Sequence, residues 1–81
     1  MILAGQLYLH EQLNEYMIVT GTARGQVKYA GKGFNGHSED QSFIERFKPV
    51  DPTDVEPQEI FELLELCPVG TQARIGFIQQ D

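Results

Sequence analysis

Three things are scarce in this 81-residue chain: cysteine, cations in its second half, and long apolar runs. A single cysteine, Cys67, rules out an internal disulfide framework, and its place in an apolar stretch reads as a small buried residue in a reducing compartment. The cytoplasm is therefore the expected location. No 18-residue apolar stretch is present, and Met1-Ile2-Leu3-Ala4-Gly5 lacks the basic segment and long apolar run of a signal peptide, so neither export nor membrane insertion is expected. Only six lysines and arginines face 12 acids, and the pI of about 4.7 argues against general affinity for nucleic acid or anionic membrane. A partner with a basic surface is the more natural expectation.

The acids are not evenly spread. Residues 1–50 balance five acids against five bases, whereas residues 51–81 hold seven acids against one base, Arg74. At this length the chain forms one domain, residues 1–81, and its 41% hydrophobic content is enough to build a core.

Apolar and polar residues alternate from Gly5 to His10, the period of a half-buried strand with Leu7 and Leu9 inward. Tyr16-Met17-Ile18-Val19-Thr20 has the β-branched and aromatic content of a central strand. Gly21 and Gly25 bracket a turn into Val27-Lys28-Tyr29, giving a hairpin. His37 to Ser42 reads as polar loop, and Phe43, Ile44 and Phe47 suit either a short strand or one helical turn. Pro49 and Pro52 mark a connector. A helix is predicted over about 56–66, with Pro57 in its first turn, Asp54 and Glu56 as acceptors for free amides, and Ile60, Phe61, Leu63, Leu64 and Cys67 as its core stripe. Pro68 and Gly70 end it, and Ala73 to Ile78 alternates again as a final strand, about 72–79. The fold class is thus α+β, mainly β: a small, strongly bent antiparallel sheet, or a five-stranded barrel, with one helix in the C-terminal half.

Gly5-Gln6-Leu7-Tyr8, Tyr16-Met17-Ile18-Val19, Val27-Lys28-Tyr29, Gly33-Phe34-Asn35-Gly36, Phe43 to Phe47 and Pro49-Val50 together resemble short uncharacterised bacteriophage and prophage accessory proteins with a small barrel of the Src-homology-3 type. The resemblance spans roughly residues 5–50. It implies an SH3-like barrel and a phage-encoded protein acting in a bacterial cytoplasm, and carries no functional residues with it. The acidic helix lies outside it.

Gly31-Lys32-Gly33-Phe34-Asn35-Gly36 spells G-x-G-x-x-G after a strand, but the polar residues that follow offer no helix N-terminus for a pyrophosphate, so no dinucleotide cofactor is expected. His10 and His37 with Glu39 and Asp40 lack metal-ligand spacing. Ser38, Ser42 and Cys67 lack a convincing base and orienting carboxylate, so an enzyme is not expected. Two binding readings remain. In the first, Glu56, Glu59, Glu62 and Glu65 form an acidic helical face with no cation at i+4 within the helix, Glu65 stands near the C-terminal end where the dipole disfavours it, and Phe34 or Tyr8 anchors a basic protein partner. In the second, Lys28, Tyr29 and Lys32 bind nucleic acid by phosphate contact and stacking. Either is compatible with self-association through an exposed edge strand at Gly5–His10 or Ala73–Ile78.

Overall fold

The computed structural model describes residues 2–71. Strands β1 (Leu7–His10), β2 (Glu15–Ala23), β3 (Gln26–Gly31), β4 (Phe34–Glu39) and β5 (Phe47–Pro49) form one antiparallel sheet in the order β4-β3-β2-β1-β5. Helix α1 (Asp40–Arg46) joins β4 to β5, and a single 3-10 turn, Pro52–Asp54, precedes helix α2 (Pro57–Leu64). This is the expected small α+β fold, mainly strand. Among the described residues β4 and β5 do not pair, so the sheet is barrel-like but not closed. The predicted final strand lies outside the described residues.

Local chemistry explains the turns. Arg24 and Gly25, with φ of 52° and 77°, make the two-residue link between β2 and β3, a geometry that follows the right-handed twist of a hairpin. β2 is longer than expected: it runs through Gly21, where the pairing with β3 shifts register between Val19 and Gly21. Residues 34–39, read as turn and loop, are a six-residue strand, because every one of them pairs with β3 from Gly31↔Phe34 to Gln26↔Glu39. The ambiguous segment 43–47 turns out to supply both options, α1 and then β5.

The glycine string gains a structural meaning here. Gly33 (φ 91°) makes the β3–β4 turn. A Cβ on Gly31 would overlap the Phe34 ring, and one on Gly36 would lie 2.7 Å from the Tyr29 hydroxyl oxygen. The two outer glycines are floors for aromatic rings that cross between neighbouring strands, and a helix does not follow until Asp40.

Each face of the sheet is covered. On the inner face Tyr8, Met17, Val19, Val27, Phe43 and Phe47 form one buried cluster, closed by α1 through Phe43. On the outer face Leu7, Ile18, Val55, Ile60 and Leu63 form a second, closed by α2. Met17, Ile18 and Val19 are consecutive yet all fully buried, as a strand sandwiched between two layers requires.

Candidate functional site

Two-sided burial changes the standing of several expected site residues. Tyr8 is not a surface anchor: it points into the inner cluster, 8% exposed, its ring 4.7 Å edge-on from Phe43 and its hydroxyl 3.4 Å from Gln6 Oε1. Burial pushes its phenol above the ordinary range. Alternation alone had placed Leu7 inward and Tyr8 outward, a rule that holds for a sheet with one wet face and fails when α1 and α2 cover both. Phe34 is half-buried at the margin of the same cluster, edge-on to the His10 ring at 5.6 Å, so part of its ring packs on the core. β1 lies between β2 and β5, which removes Gly5–His10 as an exposed edge. The alternative edge, Ala73–Ile78, lies outside the described residues.

The acidic face is real but divided. Lys32, at the β3–β4 turn, reaches across to α2, with Nζ 3.0 Å from Glu62 Oε1 and 3.9 Å from Glu59 Oε2. The helix therefore lacks cations of its own but borrows one from 30 residues away. The hydrogen bond and charge of Glu62 raise the Lys32 ammonium, and the same contact, aided by Gln58 Nε2 at 3.4 Å, holds the Glu62 carboxyl below its ordinary value. Glu56 and Glu65 stay exposed. Glu56 takes the N-cap position of α2 without a side-chain capping bond. The capping bonds fall earlier, where Asp51 accepts from the Thr53 amide and hydroxyl, which lowers its carboxyl.

α2 also shows an apolar residue where the sequence had placed it inside. Ile60 and Leu63 are buried, Leu64 and Cys67 are half-buried against the outer cluster, and Phe61 is 62% exposed. At 100° per residue Phe61 stands about 110° from the centre of the buried stripe, beside Glu65 one turn on and Gln58 one turn back. Leu66 and Val69 are exposed too, so three of the five large apolar residues left exposed among the described residues belong to α2 and the turn after it. The signal for Phe61 was present in the sequence: a stripe including positions i and i+1 is wider than one sheet contact can cover.

Among the described residues Lys28, Lys32, Arg46 and Lys48 do not converge on one face. Lys28 and Lys32 project from the outer face of β3 and its turn, while Tyr29 lies on the inner face, 5.2 Å from the Phe47 ring. Lys48 is held by Glu11 at 3.0 Å, and the Arg46 guanidinium sits over the Phe47 ring at 5.0 Å. His10 is on the inner side of the sheet and His37 on the outer, so the two histidines face apart. Ser38 is buried on the inner side and donates to the Glu39 carbonyl at 3.2 Å, pointing away from its neighbour His37. The Cys67 thiol lies 3.8 Å from the Val19 carbonyl and burial pushes its pKa up, the reverse of an activated thiolate. Among the described residues no three of His, Cys, Asp and Glu are grouped to hold a metal ion, and no helix is long and apolar enough to cross a membrane.

A shallow pocket of about 230 Å³ opens beside α1 and β5, lined by His10, Glu11, Gln12, Glu45, Arg46 and Phe47. Its lining carries both signs, Glu11 and Glu45 beside Arg46, and Glu11 is held by Lys48, so it has no strong preference for either sign of ligand. Set against known protein families, curated proteins and solved structures, the chain matches none.

Proposed function

We propose that this protein is a small non-enzymatic binding module that docks on a basic surface of another protein through α2, with Phe61 as the apolar anchor. The observation that carries this reading is the exposure of Phe61 on a helix whose solvent side and caps also carry Glu56, Glu59, Glu62 and Glu65. An exposed phenylalanine gains more from burial at an interface than almost any other residue, and anchors of this kind dominate binding energy. Glu65 and Glu56, with Glu59 and Glu62 shared with Lys32, supply the field that speeds encounter with a cationic partner. Function then follows from occlusion: the partner's basic surface is covered. A phage-encoded accessory factor, the role implied by the resemblance of residues 5–50, would act in this way on a host or phage protein.

The nucleic-acid reading finds less support, since Lys32 is engaged by two carboxylates and Tyr29 and Lys28 point to opposite faces. Capture from bacterial lysate by immobilised protein tests the proposal. Phe61→Ser and Glu65→Lys, both on solvent positions that leave circular dichroism unchanged, are each expected to remove the captured partner. Undiminished capture by the Phe61→Ser protein overturns it.

A further inference from the structure

The chain has two asparagines, and the residues that follow them set them apart. Asn14 precedes Glu15, whereas Asn35 precedes Gly36, the glycine that leaves room for the Tyr29 ring of β3. An asparagine side-chain amide is open to attack by the backbone nitrogen of the next residue, and a next residue without a Cβ crowds the forming five-membered ring least. The space Tyr29 uses is also the space the reaction needs. Asn35 is exposed, so water reaches its side chain, but its nucleophile is held. The Asp40 amide donates to the Gly25 carbonyl at 2.9 Å, one step beyond the Gln26↔Glu39 pair, and this sets the phase of the ladder. Phe34, Gly36 and Ser38 exchange backbone bonds with β3, so the Gly36 amide is committed to the Tyr29 carbonyl. Ring closure also needs a rotation about the Asn35 Cα–C bond that an extended strand does not allow.

We infer that Asn35 is the deamidation site of this chain and that the β3–β4 ladder holds the reaction in check. When β4 opens, the Gly36 nitrogen loses its proton to solvent base and bonds to Asn35 Cγ, the Cγ–Nδ2 bond breaks, and ammonia leaves with a proton taken from water. The product is a succinimide. Water then adds to one of its two carbonyls: opening on one side gives aspartate, and opening on the other gives isoaspartate, in which the main chain runs through Cβ. No oxidant, cofactor or enzyme takes part. Isoaspartate adds one methylene to the backbone of β4, so the pairs on its two sides, Gly31↔Phe34 and Tyr29↔Gly36, fall out of step. The lesion is structural as well as chemical. β4 leads directly into α1 and buried Phe43, which ties the inner cluster to the register of this strand. Among the described residues β3 is the only strand neighbour of β4, so opening one ladder is enough to free the Gly36 amide. Phe61 and α2 take no part, so this inference and the docking reading fail separately.

Incubation of the full chain in mildly alkaline buffer, with and without denaturing urea, followed by peptide mass spectrometry, reads the mass gained when the side-chain NH2 becomes OH. In urea the gain is expected at Asn35 well before Asn14. In the folded protein it is expected at least about tenfold more slowly, because the ladder must open first. Gly33→Ala strains the β3–β4 turn, where φ is 91°, and leaves Asn35 and Gly36 themselves untouched. It is expected to speed the folded reaction about threefold or more while the rate in urea stays the same. Deamidated protein, separated by its added charge, is expected to show lost hydrogen-exchange protection at Gly36 and Ser38 in the isoaspartate fraction. No gain at Asn35 in urea, a gain first at Asn14, equal rates with and without urea, indifference to Gly33→Ala, or an isoaspartate form with its protection intact each overturns the inference.

Discussion

The two faces of the sheet are built from different materials. The inner face is aromatic: Tyr8, His10, Tyr29, Phe34, Phe43 and Phe47 form a chain of ring contacts with centroids 4.7–5.9 Å apart. The outer face is aliphatic, with Leu7, Ile18, Val55, Ile60 and Leu63 buried and Tyr16 at the margin. Among the described residues the inner cluster draws on nothing later than Phe47, whereas the outer one depends on Val55, Ile60 and Leu63, which follow the last strand of the sheet. The inner core makes the sheet, and the outer core attaches a helix to it. A helix held by a separate layer is free to vary its solvent side, and that side carries Phe61 and the acids.

Truncating Phe43 breaks the comparison at its strongest point. Phe43→Ala is expected to cost about 3–5 kcal/mol, a large part of the stability of so small a domain, and urea titration followed by circular dichroism measures it. Leu63→Ala is expected to cost about 2–5 kcal/mol, with hydrogen exchange rising first in α2 and only later in β2 and β3. Simultaneous exposure of both regions would show that the two layers fold as one unit.

Gly31→Ala comes next, at about 1–3 kcal/mol, since its Cβ overlaps the far end of the Phe34 ring and also lies 3.0 Å from the Tyr16 carbonyl oxygen, a backbone atom that cannot swing away. Gly36→Ala is expected to cost less, because it meets the hydroxyl end of Tyr29, which can swing. Thermal melts of the two variants rank them directly.

The pH response distinguishes the layers more gently. Tyr8 in the inner cluster and Cys67 against the outer one are both raised by burial, so the unfolded chain releases these protons first. Their contribution is full below the unfolded values and declines as pH rises through the folded ones; stability is expected to fall above pH 9.0, the ordinary thiol value, and Cys67→Ser to remove the earlier part of that fall. The smallest effect belongs to the Lys32 latch. Glu62 is lowered, so its share of stability is present above its ordinary 4.5 and lost as pH falls through the folded value. Lys32→Ala is expected to return the Glu62 carboxyl upward in an NMR titration while the melting temperature barely moves.

Much of the architecture was legible in the sequence. β1, β2, β3 and α2 each had a period or composition strong enough to show without their neighbours. β4 did not: Phe34-Asn35-Gly36-His37-Ser38-Glu39 is polar and glycine-interrupted, and it is a strand because β3 pairs with it and because Gly36 leaves room for Tyr29. Tyr8 was misplaced for a related reason, since one strand's alternation cannot reveal how many layers will cover it. The acids of α2 were correctly found, but their cation lies 30 residues upstream, beyond any i+4 rule. Phe61 was hidden in a stripe drawn too wide.

Pro49 has a consequence larger than its place at the end of a three-residue strand. A sheet with two receptive borders can accept neighbours indefinitely and grow into a fibre. Here, among the described residues, the Val50–Leu7 bond sets Phe47 and Pro49 outward on the β5 border, the Phe47 amide is spent on the Phe43 carbonyl, and Pro49 has no amide to give. That border offers a neighbouring strand no donor, so growth by a full ladder is blocked on that side by a missing hydrogen atom on a proline nitrogen.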